Sequence, residues 1–399
     1  MSLALRPAQP LSTAGSTPLA AVRRADVDWL RLIAFGLLIL YHAGMPFAAW
    51  DWHVKDVHRS EALQAVMLFM NRWRMPLVFF VSGAAIMLAL GRRTPGEFLR
   101  DRVKRLLVPL AFGMAAIVPP QVWFERVQRG QFAGSYFEFL PHAFDGVYPA
   151  GNLSWHHLWF LAYVLLLTLA LMPLWLWLRS PGGARRLDAL AEAVTHRRLL
   201  LWSPVPAIAL VEFVLRPLSS NPNGLVGDWI GLARYGLLLA LGALAFSRPQ
   251  IVAAIAAHRR TALACGALAF ASLFLVYFSR GLRPMADPLH WPLFCALSAV
   301  NLWAWVLGLS GLVVRHLGGV RPAWLAAATE AVFPFYILHQ TLIVAFAFAL
   351  APLASPVAIK LVLVVAATFA GCALLYGLIR RSRIVQPLFG MKPAVAHAK

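Results

Sequence analysis

The chain has 399 residues, 60% of them hydrophobic and 13% charged, with a net charge of +20 and a mean hydropathy of +0.70. A soluble chain of this length carries about twice that charged fraction, so composition excludes an ordinary soluble protein. The +20 invites nucleic acid as a partner, and the placement of the basic residues along the chain excludes it.

Residues 1–25 are rich in Ala, Pro, Ser and Thr and hold no uninterrupted apolar core, so they read as a disordered cytoplasmic tail and not as a signal peptide. A membrane span needs about 20 apolar residues. That ruler finds ten candidates: 27–47, 70–91, 106–124, 157–178, 199–215, 229–247, 261–279, 291–314, 324–350 and 357–379. The expected fold is all-α, a polytopic bundle of about ten transmembrane helices over residues 26–383 with no appended soluble domain. Residues 384–399 are expected to be a cytoplasmic tail. No inverted repeat of the kind that marks many transporters is visible.

The first span holds Asp28, Arg31 and His42. At about 100° per residue the eleven steps from Arg31 to His42 return to nearly the same face, with a rise of about 16–17 Å. Asp28 joins that face, which therefore carries a guanidinium near one membrane surface and an imidazole well inside. Ionisable groups at such depth are costly and mark functional sites. A neutral imidazole there is either a hydrogen-bonded core histidine or a general base, since its ordinary pKa lies near neutrality.

Arg72 and Arg74 precede Met75-Pro76 at the outer end of the second span and either snorkel to headgroups or face an anionic substrate. Arg102 and Arg105 open the third span three residues apart and share a face. They serve as positive-inside charges or as a phosphate clamp for a cofactor arriving from the cytoplasm. The longest outer loop, about 125–156, carries Phe132, Tyr136, Phe137, Phe139, His142, Phe144, Tyr148 and Trp155. It reads as a lid whose aromatic faces suit a sugar, or as an interfacial aromatic belt. The adjacent His156 and His157 point to different faces, so a metal pair there needs other ligands, and no metal is expected. His339 follows Pro334 inside the ninth span, where a proline frees carbonyls for other partners. Cys265, Cys295 and Cys372 all lie in apolar spans and read as small hydrophobes.

With ten spans both termini share a side. That side collects Arg6, Arg23 and Arg24, the loop from Arg92 to Arg105, Arg179–Arg198, Arg248–Arg260, Arg315, Arg321 and the tail beyond Arg380, about two thirds of the 36 basic residues. Both termini are therefore expected in the cytoplasm, and the +20 is a topology signal.

Five motifs in order complete the reading: Asp28-x-x-Arg31 with His42; Phe79-Phe80-Val81-Ser82-Gly83; Phe98-x-x-x-Arg102-x-x-Arg105-Leu-Leu-Val-Pro109; His157-Leu158-Trp159-Phe160-Leu161; and Tyr336-x-x-His339-Gln340. Across residues 24 to 381 the chain resembles the acyltransferase-3 family of integral membrane acyltransferases, nearest the glucan biosynthesis protein C-like branch. The resemblance implies transfer of acetyl, succinyl or similar groups from cytoplasmic acyl-CoA, a co-substrate with no permanently bound cofactor, to a carbohydrate acceptor outside the bacterial inner membrane. It implies that His42 is catalytic, that Arg31 belongs to the same motif, and that Arg102 and Arg105 handle the donor. Asp28, Arg72, Arg74, Tyr336, His339, Trp155 and His157 complete the expected substrate-binding set. A proton-coupled transporter or flippase is the rival reading, because intramembrane Arg and His also serve ion paths.

Overall fold

The computed structural model describes residues 24–91 and 93–392. Residues 1–23 of the expected N-terminal tail, Arg92, and residues 393–399 of the expected C-terminal tail lie outside the described residues. Among those described the secondary structure is helical, with one isolated bridge between Val147 and Leu153. α1 (Ala25–Gly44) leads through a loop to α2 (Glu61–Asn71) and α3 (Arg74–Leu90). α4 (Pro95–Phe112), a π-helical turn over Gly113–Ile117 and α5 (Pro119–Gln128) follow. The long loop holds α6 (Tyr136–Phe139), after which come α7 (Trp159–Ala170), α8 (Met172–Arg179), α9 (Pro181–His196), α10 (Pro204–Leu215) and α11 (Trp229–Ala245). The chain closes with α12 (Pro249–Leu273), α13 (His290–Leu317), α14 (Leu325–Leu350) and α15 (Val357–Ile379).

The protein is an all-α membrane bundle. Each of the ten apolar stretches is helical, and eight helical stretches among the described residues are long and apolar enough to cross a membrane. A ninth, α7 with α8, is bent by 55°. Pro173 sits in the first turn of α8 and has no N–H to continue the ladder of α7, which accounts for the break. The remaining stretch, α11, is apolar but only 17 residues long. The loop expected between the fourth and fifth spans contains α9, an amphipathic helix that buries Leu187, Ala191 and Val194.

Arg72 and Arg74 lie inside a longer helical stretch than the second apolar run alone. α2 runs into α3 with only Arg72 and Trp73 between them, which puts both arginines midway along one long stretch, Glu61–Leu90. They are held over aromatic faces: Arg72 Cζ is 4.4 Å from the Phe278 ring centroid and Arg74 Cζ 3.4 Å from that of Tyr41. The segment after residue 384 folds back as well, with Phe389 and Met391 buried and Gly390 against the Phe333 ring.

Glycine explains the second motif. A Cβ on Gly83 would lie 1.9 Å from the Leu239 carbonyl oxygen, and one on Gly242 would lie 1.8 Å from that of Phe80. α3 and α11 therefore touch backbone to backbone, the small-residue packing that substitutes for hydrophobic drive between helices in lipid. Phe79 seals the seam, stacked on Tyr235 at 4.2 Å.

The loop after α1 is fixed from both sides. Lys55 Nζ donates to the Met45 and Trp50 carbonyls at 2.7 and 2.9 Å, and to that of Ala48. Asp56 accepts from the fully buried Lys360 of α15 at 2.6 Å. Removing one partner leaves a buried charge unpaired, so Lys360→Met should cost about 3–5 kcal/mol. Unfolding of the detergent-purified protein should show a lowered melting temperature, and adding Asp56→Asn should restore most of it.

Candidate active site

α14 supplies the frame. His339 Nδ1 lies 2.7 Å from the Tyr336 carbonyl, which can only accept, so Nδ1 carries the proton. In neutral His339 the Nε2 is then a lone pair, and His42 Nδ1 lies 2.8 Å from it. His42 therefore donates through Nδ1 and keeps its own Nε2 as a free base. The two rings stack with centroids 5.1 Å apart and 17° between planes. His157 Nε2 donates to the Ile337 carbonyl at 3.0 Å and packs edge-on against His339, while Tyr336 O–H donates to the His157 carbonyl at 2.6 Å. His157 is thus a buried support behind His339, and Trp155, at the loop end before it, is partly buried against the core.

The arginines of α1 and α4 form a second feature. Thr94 and Glu97 make a capping box at the start of α4. This fixes the phase of the helix so that Phe98, Arg102 and Arg105 share a face, with Arg102 5.1 Å above the Phe98 ring and Arg105 5.8 Å from that of Phe333. Arg31 and Asp28 of α1 meet them around a cavity of 290 Å³, together with Arg24, Arg93 and Ser82. An adjoining cavity of 450 Å³ shares Arg93, Arg102 and Arg105 and is walled by Gly390, Met391 and Lys392.

The cavity points towards the histidines. Its inner lining includes Phe35 and Phe160, and Phe35 packs on Tyr336 at 5.5 Å. Tyr336 in turn packs 6.0 Å from His339. One wall of aromatic rings thus separates the arginine rim from the His42–His339 pair. The structure brings Asp28, Arg31, Arg102 and Arg105 together at one end and His42, His339, His157 and Tyr336 at the other. Arg74 reaches the second group through Tyr41, which neighbours His42 on α1 and packs against its ring at 5.8 Å. Arg72 belongs to neither and lies among Phe278 and Phe294.

Sequence reasoning missed a further polar group beside this one. Gln340 Nε2 donates to His53 Nε2 at 3.1 Å, and His53 Nδ1 donates to Glu125 Oε2 at 2.5 Å. Gln340 was visible as the last residue of the fifth motif. His53 sits in an irregular loop and Glu125 in a short helix, where no spacing pattern marks them.

Comparison with known proteins fits this arrangement. The family profile described as an acyltransferase domain matches residues 24–377, nearly the whole chain. The chain belongs to the acyltransferase-3 family. Among curated proteins it is similar to the glucans biosynthesis protein C of Salmonella paratyphi B (strain ATCC BAA-1250 / SPB7), of Salmonella agona (strain SL483) and of Salmonella enteritidis PT4 (strain P125109). In each case 22% of 266 residues are identical, over 64% of this chain and 66% of the relative. The chain thus spans just under two thirds of the length of these relatives. No solved structure matches it.

His339→Leu removes the acceptor that fixes the His42 tautomer. One buried hydrogen bond is worth about 1–3 kcal/mol when a partner is left unsatisfied, or roughly one to two decades. Acyl transfer by this family member should show that fall in kcat, with donor affinity unchanged. Equal loss of kcat, donor affinity and melting temperature would make the histidine merely structural.

Proposed function

We propose that the protein moves an acyl group, such as acetyl or succinyl, from cytoplasmic acyl-CoA to a hydroxyl of a cell-envelope glycan or other carbohydrate. The reading places it in a bacterial inner membrane with both termini in the cytoplasm. The observation that carries it is the arginine-rimmed cavity with the His42–His339 pair behind its wall of Phe35, Phe160 and Tyr336. Coenzyme A is a polyanion on a long uncharged arm. Arg31, Arg102 and Arg105 suit its phosphates, because guanidinium–phosphate contacts are charge-assisted and often bidentate. The arm then follows the Arg31–His42 face of α1 past Phe35 and Phe160.

The chemistry needs one base and good positioning, since a thioester is already activated. His42 Nε2 takes the proton from the acceptor hydroxyl as its oxygen attacks the thioester carbonyl. The C–S bond breaks, and the departing thiolate recovers the proton from His42. His339 holds the imidazole in the tautomer this requires. The name shared by the curated relatives supports a glucan as acceptor, and the loop aromatics Tyr136, Phe137 and Tyr148 offer faces on which a sugar can stack.

The second reading, a proton-coupled transporter or flippase of an anionic substrate, is favoured by the buried Arg74 within a span. Acyl transfer by purified protein in detergent, where no compartments exist, distinguishes the two. His42→Ala should cost about two to four decades in that assay and leave acyl-CoA binding intact. Alanine at Arg31, Arg102 or Arg105 should weaken acyl-CoA binding by about one to two decades, with lysine recovering only part. Unchanged donor binding in all three arginine variants would remove the donor site from this cavity. For orientation, reporter fusions after Pro141 and after Arg186 should report opposite compartments, with Pro141 outside. The reverse result would invert the topology.

A further inference from the structure

Next to Gln340 lies a buried cluster that the acyl-transfer chemistry above does not use. Glu125 has no solvent exposure, and its two oxygens are divided between different partners. Oε1 accepts from the Tyr148 hydroxyl at 3.0 Å and lies 3.5 Å from Arg129 Nη2, while Oε2 faces His53 Nδ1 at 2.5 Å. The His156 ring sits 4.2 Å from that of His53. Ser154 Oγ lies 3.0 Å from His156 Nδ1, whereas His156 Nε2 is buried with no hydrogen-bond partner. A buried, unpaired imidazole nitrogen carries a desolvation cost that a ligand would relieve. His156 also holds φ +40°, a conformation rare outside glycine and maintained only where the surroundings impose it.

One nitrogen from each histidine and a Glu125 oxygen all lie within 4.8 Å of one another, and among the described residues this is the one such group of three. We propose that His53, Glu125 and His156 form a binding site for a divalent metal ion of the zinc class. Zinc bonds of about 2.0–2.1 Å to nitrogen and oxygen put tetrahedral ligands about 3.4 Å apart, so small side-chain rotations close the set. Two histidines and one carboxylate, with a fourth position left for water or a substrate hydroxyl, are the donors of catalytic and not structural zinc.

The surroundings fit a second layer of support. The Tyr148 hydroxyl donates to Oε1 at 3.0 Å and leaves Oε2 for the ion. Binding through Nδ1 requires the other neutral tautomer of His53, so one proton leaves Nδ1 and one is taken up at Nε2, with no net release from this ring. Gln340 Nε2 also donates to Gln121 Oε1 at 3.0 Å, so rotation of both amides, with Thr341 Oγ1 then donating to Gln121, puts the Gln340 oxygen against that N–H, the usual second partner of a metal-bound imidazole. The loop that brings Tyr148 and His156 is held by Arg126, which donates to Asn152 Oδ1 at 3.1 Å and to the carbonyls of Pro149 and Gly151, both at 2.8 Å. Of the two adjacent histidines, His156 thus finds its missing ligands on α5 and in the loop after α1, while His157 is taken up by the Ile337 carbonyl.

The proposal goes beyond the acyl-transfer reading, and its test does not depend on activity. The full chain is purified in detergent through a tag without histidines, stripped with chelator and titrated with Co²⁺ alone. Wild type should take up about one equivalent and develop the visible bands of a four-coordinate site. His156→Ala and Glu125→Gln should lose the bands and bind roughly tenfold or more weakly, while His258→Ala should behave as wild type. Elemental analysis of unstripped wild type should show zinc at a comparable ratio. Should Glu125→Gln fail to fold, His156→Ala and the wild-type titration decide. Absence of bands in folded wild type, or identical titrations for wild type and His156→Ala, overturns the site. A wild type that transfers acyl groups without showing bands overturns the metal alone and leaves the acyl-transfer reading standing.

Discussion

Two backbone carbonyls on α14 set the chemistry of the core. Those of Tyr336 and Ile337 can only accept, and by accepting from His339 Nδ1 and His157 Nε2 they decide where each ring keeps its proton. That choice passes through His339 Nε2 to His42, whose outward nitrogen becomes the basic one. No carboxylate is needed to orient this pair. In a bundle surrounded by lipid this is economical, because a neutral donor–acceptor chain avoids the desolvation that a buried ion pair incurs.

Charge is nevertheless abundant within the bundle, and it is managed by aromatic faces as much as by counter-ions. Arg102 lies over Phe98, Arg105 over Phe333, Arg74 over Tyr41 and Arg72 over Phe278. A ring quadrupole stabilises a guanidinium without neutralising it. Arginines held this way keep their attraction for an incoming anion, whereas the Asp56–Lys360 pair satisfies its charges internally and serves only to hold a loop.

Much of this was legible in the sequence. Apolar runs marked the ten apolar helical stretches, though not α2, α6 or α9, and helical periodicity put Arg31 and His42 on one face of α1. The phase of Phe98, Arg102 and Arg105 followed from the same arithmetic. What failed to show was what depends on contacts distant in sequence. That the helical stretch bearing Arg72 and Arg74 continues back to Glu61 was hidden, because the apolar face of α2 is broken by Glu61, Gln64 and Asn71. His53 meets Glu125 and Gln340 across 72 and 287 residues, and no local pattern encodes such a meeting. The burial of Phe389 against Phe112, and of Met391 against the arginine cavity, was hidden for the same reason.

The seam between α3 and α11 has one more effect. α3 runs from Arg74, which lies over the ring of Tyr41, to Ala89 and Leu88 in the cavity wall. Fifteen residues of helix make this about 22–23 Å. Glycine contact with α11 along the way leaves no slack for the rod to slide or bow. The two ends of the path are therefore held at a set separation, and the bundle acts as a gauge. Under the proposed acyl transfer, a carrier arm too short for it strands its cargo below the imidazole, and one too long must buckle against Phe35 and Phe160. Selection among donors then begins with the length of the arm, before any atom of the transferred group is touched.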